Sequence, residues 1–166
     1  MSRVAIEPVL GVISRDFGKG FPMNISRIAL AAVGAFVAYF VVGGATFALV
    51  PSLKTEFLKY PAVYRDHDGQ MSHMPAGMAA IFLSIAVLAV LYAMQYQAAL
   101  SMAEGARSGA IFGALIGLFV IGSFVLHNYA NLNIGLKLTL QQAVAYFMEW
   151  LIVGIVIGLI YRPATH

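Results

Sequence analysis

The chain has 166 residues, 61% of them hydrophobic and only 10% charged, and its mean hydropathy is +0.85. A soluble domain carries about 25% charged residues, so this composition excludes a fully water-covered surface and requires lipid over most of the outside. The net charge of +3 comes from dispersed Lys and Arg, which excludes a nucleic-acid patch, and the absence of cysteine excludes disulfides and thiolate metal or redox chemistry.

The first 20 residues contain no continuous apolar run and so do not read as a cleaved signal peptide. Within segment 1–23, Val9, Leu10, Ile13 and Phe17 share one helical face opposite Arg15, Asp16 and Lys19. That pattern predicts a short interfacial helix lying in the headgroup region. Asn24 or Ser26 can cap a first span over 26–50, which Pro51 ends. Residues 51–75 form a polar outer loop whose front part, 52–60, can continue as a surface helix. A second span is expected over 75–100, with Pro75 in its first turn. A tight turn with Glu104 and Arg107 leads into a third span over 106–127. The Asn-rich stretch 128–133 reads as a turn, and a fourth span follows over 138–161. The expectation is a single all-α domain, a polytopic bundle of four transmembrane helices with both termini on one side.

Lys and Arg set the orientation. Arg3, Arg15, Lys19, Arg27, Arg107 and Arg162 fall on the terminal side, and Lys54, Lys59, Arg65 and Lys137 on the other. The bias puts the termini in the cytoplasm and the two polar loops outside. Tyr60, Tyr64, Tyr129 and Tyr161 fit interfacial belts, whereas Trp150 lies too deep for one.

Glu149 is the only full charge in the last span. At 1.5 Å per helical residue it lies roughly 17 Å from either end, and a carboxylate at that depth costs about 2.5–3.5 kcal/mol on insertion scales. Gln142 and Tyr146 precede it by seven and three residues, so the three form one polar stripe. Such a stripe must face the bundle interior or a partner. Tyr39 and Thr46 on the first span, and Ser84 and Gln95 on the second, are candidate hydrogen-bond partners. The stripe can act as interhelical packing or as a proton- or cation-binding site.

Asp66, His67, Asp68 and His73 lie close together in the first loop, and His127 ends the third span on the same side. Imidazole with carboxylate suits a divalent metal, although the spacing matches no zinc signature. His73 and His127 are also the candidate axial ligands for a haem b between helices. Gly109, Gly113 and Gly117, and again Gly154 and Gly158, recur every four residues. Small residues at that spacing let helix backbones approach closely, either within one chain or between copies.

The Gly-rich third span, the Asn-containing turn after His127 and a fourth span with a central acid resemble small bacterial four-helix membrane proteins of unknown function. The resemblance covers the C-terminal third and implies a bacterial inner-membrane protein; it brings no activity with it. No nucleophile–base pair, phosphate loop or dinucleotide motif is present, so the chain reads as non-catalytic. The expected role is an accessory or structural subunit, with the bilayer and a membrane-protein partner or a second copy as its partners. The alternatives are a small transporter or cation/proton-binding protein using Glu149, or a metal- or haem-binding protein using the loop histidines.

Overall fold

A computed structural model describes residues 23–98 and 105–161. The chain is all-α, with helices α1 (Ile25–Leu49), α2 (Pro51–Phe57), α3 (His67–Ala98), α4 (Ala106–Asn131) and α5 (Leu136–Ile160). Of these, α1, α3, α4 and α5 are long and apolar enough to cross a membrane. The predicted interfacial helix over 1–23 lies almost wholly outside the described residues, as do Glu104 and Arg162.

Local chemistry sets most boundaries. The Asn24 side chain accepts from the Arg27 backbone N–H at 3.0 Å and caps α1. Pro51 cannot continue α1 but suits the first turn of α2, so the surface helix expected over 52–60 is present in shorter form. Two expectations need correction. Helix α3 starts at His67, not 75, and Pro75 lies inside it. Its cap is the Asp66 carboxylate, which accepts from Gly69 N–H at 2.8 Å. With 32 residues, α3 is about 48 Å long and outruns a hydrocarbon core of about 30 Å. Helix α4 runs on through a π-helical stretch, Ile121–Leu126, to Asn131, so the Asn-rich segment is mostly helix and the turn shrinks to residues 132–135. Asn131 donates to the His127 carbonyl at 2.7 Å, which helps carry the helix that far.

Helix α5 is the hub. It packs most extensively on α4 and next on α1, while α3 leans chiefly on α1. The α4–α5 contact is made by the glycine ridges facing each other antiparallel: Gly158 against Gly105 and Gly109, Gly154 against Gly109 and Gly113, and Gly117 against Phe147. Both ridges are therefore packed against each other within one chain.

The buried α1–α3 contact lies in the terminal half of the bundle and reaches the Phe36–Phe82 ring pair, 5.4 Å apart near the middle of both helices. The buried residues of α1 are Ile28, Ala31, Ala32 and Ala35, and those of α3 include Ile85, Ala89, Tyr92 and Ala93. Small alanines allow close approach there. Toward the loop end the helices part, and every residue over 71–80 is exposed. The bundle is thus tight at the terminal end and splayed at the loop end. Tyr161 is buried against Tyr92 and Tyr96 at the tight end and does not join an interfacial belt.

Candidate functional site

The splay leaves a cleft of about 410 Å³ between α1, α2 and α5, with Met74 of α3 at its edge. Glu149 stands in its wall, buried to 6% exposure. The Tyr39 hydroxyl lies within hydrogen-bonding reach of the Glu149 carboxyl across the α1–α5 contact. The carboxyl oxygen Oε2 is buried without a partner. Gly43 is what lets α1 come so close: a methyl there would lie 3.1 Å from Glu149 Oε1. Trp150, the next residue, is buried and its ring lies 5.6 Å from that of Tyr39.

The predicted stripe faces inward, as the cost of leaving it in lipid requires. Gln142 is buried and donates to the Tyr64 hydroxyl at 3.2 Å, and Tyr146 sits one turn from Glu149 with its ring against Phe124. Of the proposed partners, only Tyr39 reaches Glu149. Thr46 and Ser84 each donate to a carbonyl one turn back in their own helix, at 2.9 Å, and Gln95 is exposed. The two hydroxyls satisfy themselves locally, which is the cheapest option for a hydroxyl in lipid.

A second cleft of about 580 Å³ opens at Lys54, Arg65, Asp66 and His67 on the loop side. It shares Phe47, Phe57, Gln142 and Tyr146 with the first. Polar groups therefore line a file from the loop surface through Tyr64, Gln142 and Tyr146 to Glu149.

Segment 51–66 forms a cap over the loop end of α5, docked by contacts distant in sequence. Glu56, only 3% exposed, accepts from Lys59 Nζ at 2.7 Å and from Lys137 Nζ at 2.8 Å. Hydrogen bonds from Lys137 and then Lys59 hold the Glu56 carboxyl below its usual value, against the opposing effect of burial. The Tyr60 hydroxyl accepts from Gly135 N–H at 2.9 Å, and Gln141 donates to Ser52 Oγ at 2.9 Å. Leu53, Ile134 and Leu138 form a small core beneath, with Phe57, Tyr60, Val63 and Tyr64 packed on it. Tyr60 and Tyr64 thus do hydrogen-bonding work in the cap that a belt position would not demand.

The loop metal set is not assembled. Among the described residues, no three His, Asp or Glu side chains gather to hold an ion. His67 lies beside Asp68 at 3.4 Å, while His73 points back to its own helix, 2.9 Å from the Gly69 carbonyl. His127 is exposed on α4. The early start of α3 is the physical reason: once 67–75 is helical, neighbouring residues such as Asp66, His67 and Asp68 diverge around the helix. His73 and His127 line neither cleft beside Gln142, so the haem arrangement has no common cavity there either.

No protein-family model, curated protein or solved structure matches the chain.

Proposed function

We propose that this multi-pass membrane protein binds a proton or a small cation at Glu149 and acts as a small transporter or cation-responsive membrane protein. One observation carries the reading: a buried mid-membrane carboxyl lines a cleft, with the Tyr39 hydroxyl beside it and its Oε2 buried without a partner. A carboxyl serving only as packing has every reason to satisfy both oxygens, because an unpaired buried acceptor costs about 1–3 kcal/mol. Intramembrane acids also cluster on ion and substrate pathways. The polar file to the loop surface supplies the approach.

The test is flux in proteoliposomes of the purified chain. Wild type is expected to carry protons or a monovalent cation under an imposed gradient, and Glu149→Gln to fold but carry none. Equal flux in both would overturn the reading. A second reading, an accessory subunit, is favoured by the exposed stretch 71–80 of α3, which no other helix covers. A subunit that co-purifies in mild detergent and is lost on Met78→Arg, an exposed position that lines neither cleft, would support it.

The charge bias supports cytoplasmic termini, and the resemblance over the C-terminal third supports a bacterial inner membrane. Ser72→Cys is expected to react with an impermeant thiol reagent on intact cells and Ala164→Cys not to; the reverse pattern would invert the orientation.

A further inference from the structure

We propose that the cleft beside Glu149 receives a small lipophilic organic cation, a quaternary or tertiary ammonium, with the carboxylate as counter-ion and aromatic rings as its cage. This rests on the cation-binding reading of Glu149 and narrows it to a class of ligand.

Charge comes first. Among the described residues, no Lys, Arg or His lines this cleft, and its acidic residue is Glu149. An anion would meet an uncompensated carboxylate and gain nothing, whereas a cation supplies the opposite charge that a buried carboxylate needs. The walls then discriminate between cations. A hard metal ion replaces its water with six or more oxygen ligands. Here the polar contributions are Glu149, the hydroxyls of Tyr39 and Tyr146 and the amide of Gln142, and the rest of the lining is apolar. An ammonium shielded by carbon needs no oxygen shell.

The rings are the second observation. Tyr39, Phe40, Phe47, Phe57 and Tyr146 all line the cleft. Aromatic faces attract cations within about 6 Å, most strongly in desolvated sites, and quaternary ammonium groups are the ligands that such cages take. Size and access agree. At about 410 Å³, the cleft lies within the usual range for small-molecule sites, roughly 300–1,000 Å³. Gly44 lines it, and a side chain added there meets nothing within 4 Å. The α1 wall is therefore open at the level of the carboxylate, and the splay of α3 leaves a way in from the loop end.

Trp150 is the single tryptophan and its ring packs on Tyr39, which lines the cleft with Glu149, so its fluorescence reports on the site. The full chain in lipid nanodiscs is titrated with benzyltrimethylammonium, with its uncharged isostere neopentylbenzene and with benzenesulfonate. A saturable response to the ammonium is expected, with the isostere binding about tenfold or more weakly and the anion giving none. Glu149→Gln is expected to weaken the ammonium by about tenfold or more without altering the isostere. Gly44→Leu is expected to narrow the cleft and abolish binding of the ammonium. Equal binding of ammonium and isostere would make the cleft a purely apolar, lipid-like one and overturn the proposal, as would ammonium binding untouched by Glu149→Gln. Glu149-dependent proton flux without ammonium binding would overturn the organic cation alone. Absence of both would overturn this proposal and the reading beneath it.

Discussion

Replacing Gly113 by alanine tests how the bundle is held together. The added methyl would lie 2.5 Å from the Trp150 carbonyl oxygen and 2.8 Å from that of Leu151. Carbon and carbonyl oxygen settle at about 3.3–3.6 Å, so α4 and α5 must separate by roughly 1 Å at this level. Neither atom can step aside, because both belong to the α5 backbone. Overpacking of this kind costs about 1–3 kcal/mol. Alanine also gains about 0.8–1.0 kcal/mol of helix propensity over glycine. A control removes that gain from the comparison: Gly77 lies on the exposed part of α3, and a methyl there meets nothing within 4 Å. Gly113→Ala is therefore expected to be less stable than Gly77→Ala by about 1–3 kcal/mol. Stability is read from Trp150 fluorescence during unfolding in mixed detergent micelles. Because Gly154 meets Gly113 across the same contact, Gly113→Ala with Gly154→Ala should lose less than the sum of the single losses. Equal stabilities for Gly113→Ala and Gly77→Ala would refute close backbone packing between α4 and α5.

Tyr39→Phe removes the hydroxyl beside Glu149 and should cost about 0.6–2 kcal/mol of thermal stability in detergent if it bonds the carboxyl; no change would mean that this hydroxyl contributes nothing. Glu149→Gln should fold as well as wild type, since the amide can still accept from Tyr39, whereas Glu149→Leu should melt lower; equal melting of the Leu variant would put the carboxyl elsewhere than in the bundle interior. Lys137→Ala should loosen the cap, measured as increased mobility of a spin label on Leu58→Cys in a chain with no other cysteine. The Glu56 carboxyl is held below its ordinary value, so its contribution is complete above that value and lost as pH falls through the lower folded one. The same label should therefore loosen only below the ordinary carboxylate range, near pH 4, and loosening that sets in near neutrality would contradict the Glu56 clamp.

Much of the fold is written in composition and period. Four apolar runs, the Asn24 cap and Pro51 place α1 and α5 to within a residue or two, and the four-residue glycine repeats mark the faces of α4 and α5 that meet. The inward stripe of Gln142, Tyr146 and Glu149 follows from the cost of leaving them in lipid. Other features depend on contacts that no local pattern carries. Pro75 is a legitimate first-turn residue, so the true start of α3 rested on one Asp66-to-Gly69 bond whose sequence signal, an Asp three residues before a Gly, is weak. Lipid-facing and helix-facing apolar residues look alike in a sequence, which conceals the splay at the loop end and the cleft it opens. The cap is held by pairs about 75–90 positions apart, such as Tyr60 with Gly135 and Ser52 with Gln141. Glu56 and Lys59 at i,i+3 gave the one local hint of it.

The most direct measurement of Glu149's role is an infrared difference spectrum of the protein in bilayers, with its carboxyl C=O stretch assigned by loss of the band in Glu149→Gln. If Glu149 exchanges a proton for a cation in the cleft, the band present in the protonated protein disappears when pH is raised or benzyltrimethylammonium is added. A Glu149 band that stays unchanged under both treatments would show a permanently neutral packing residue and contradict the site.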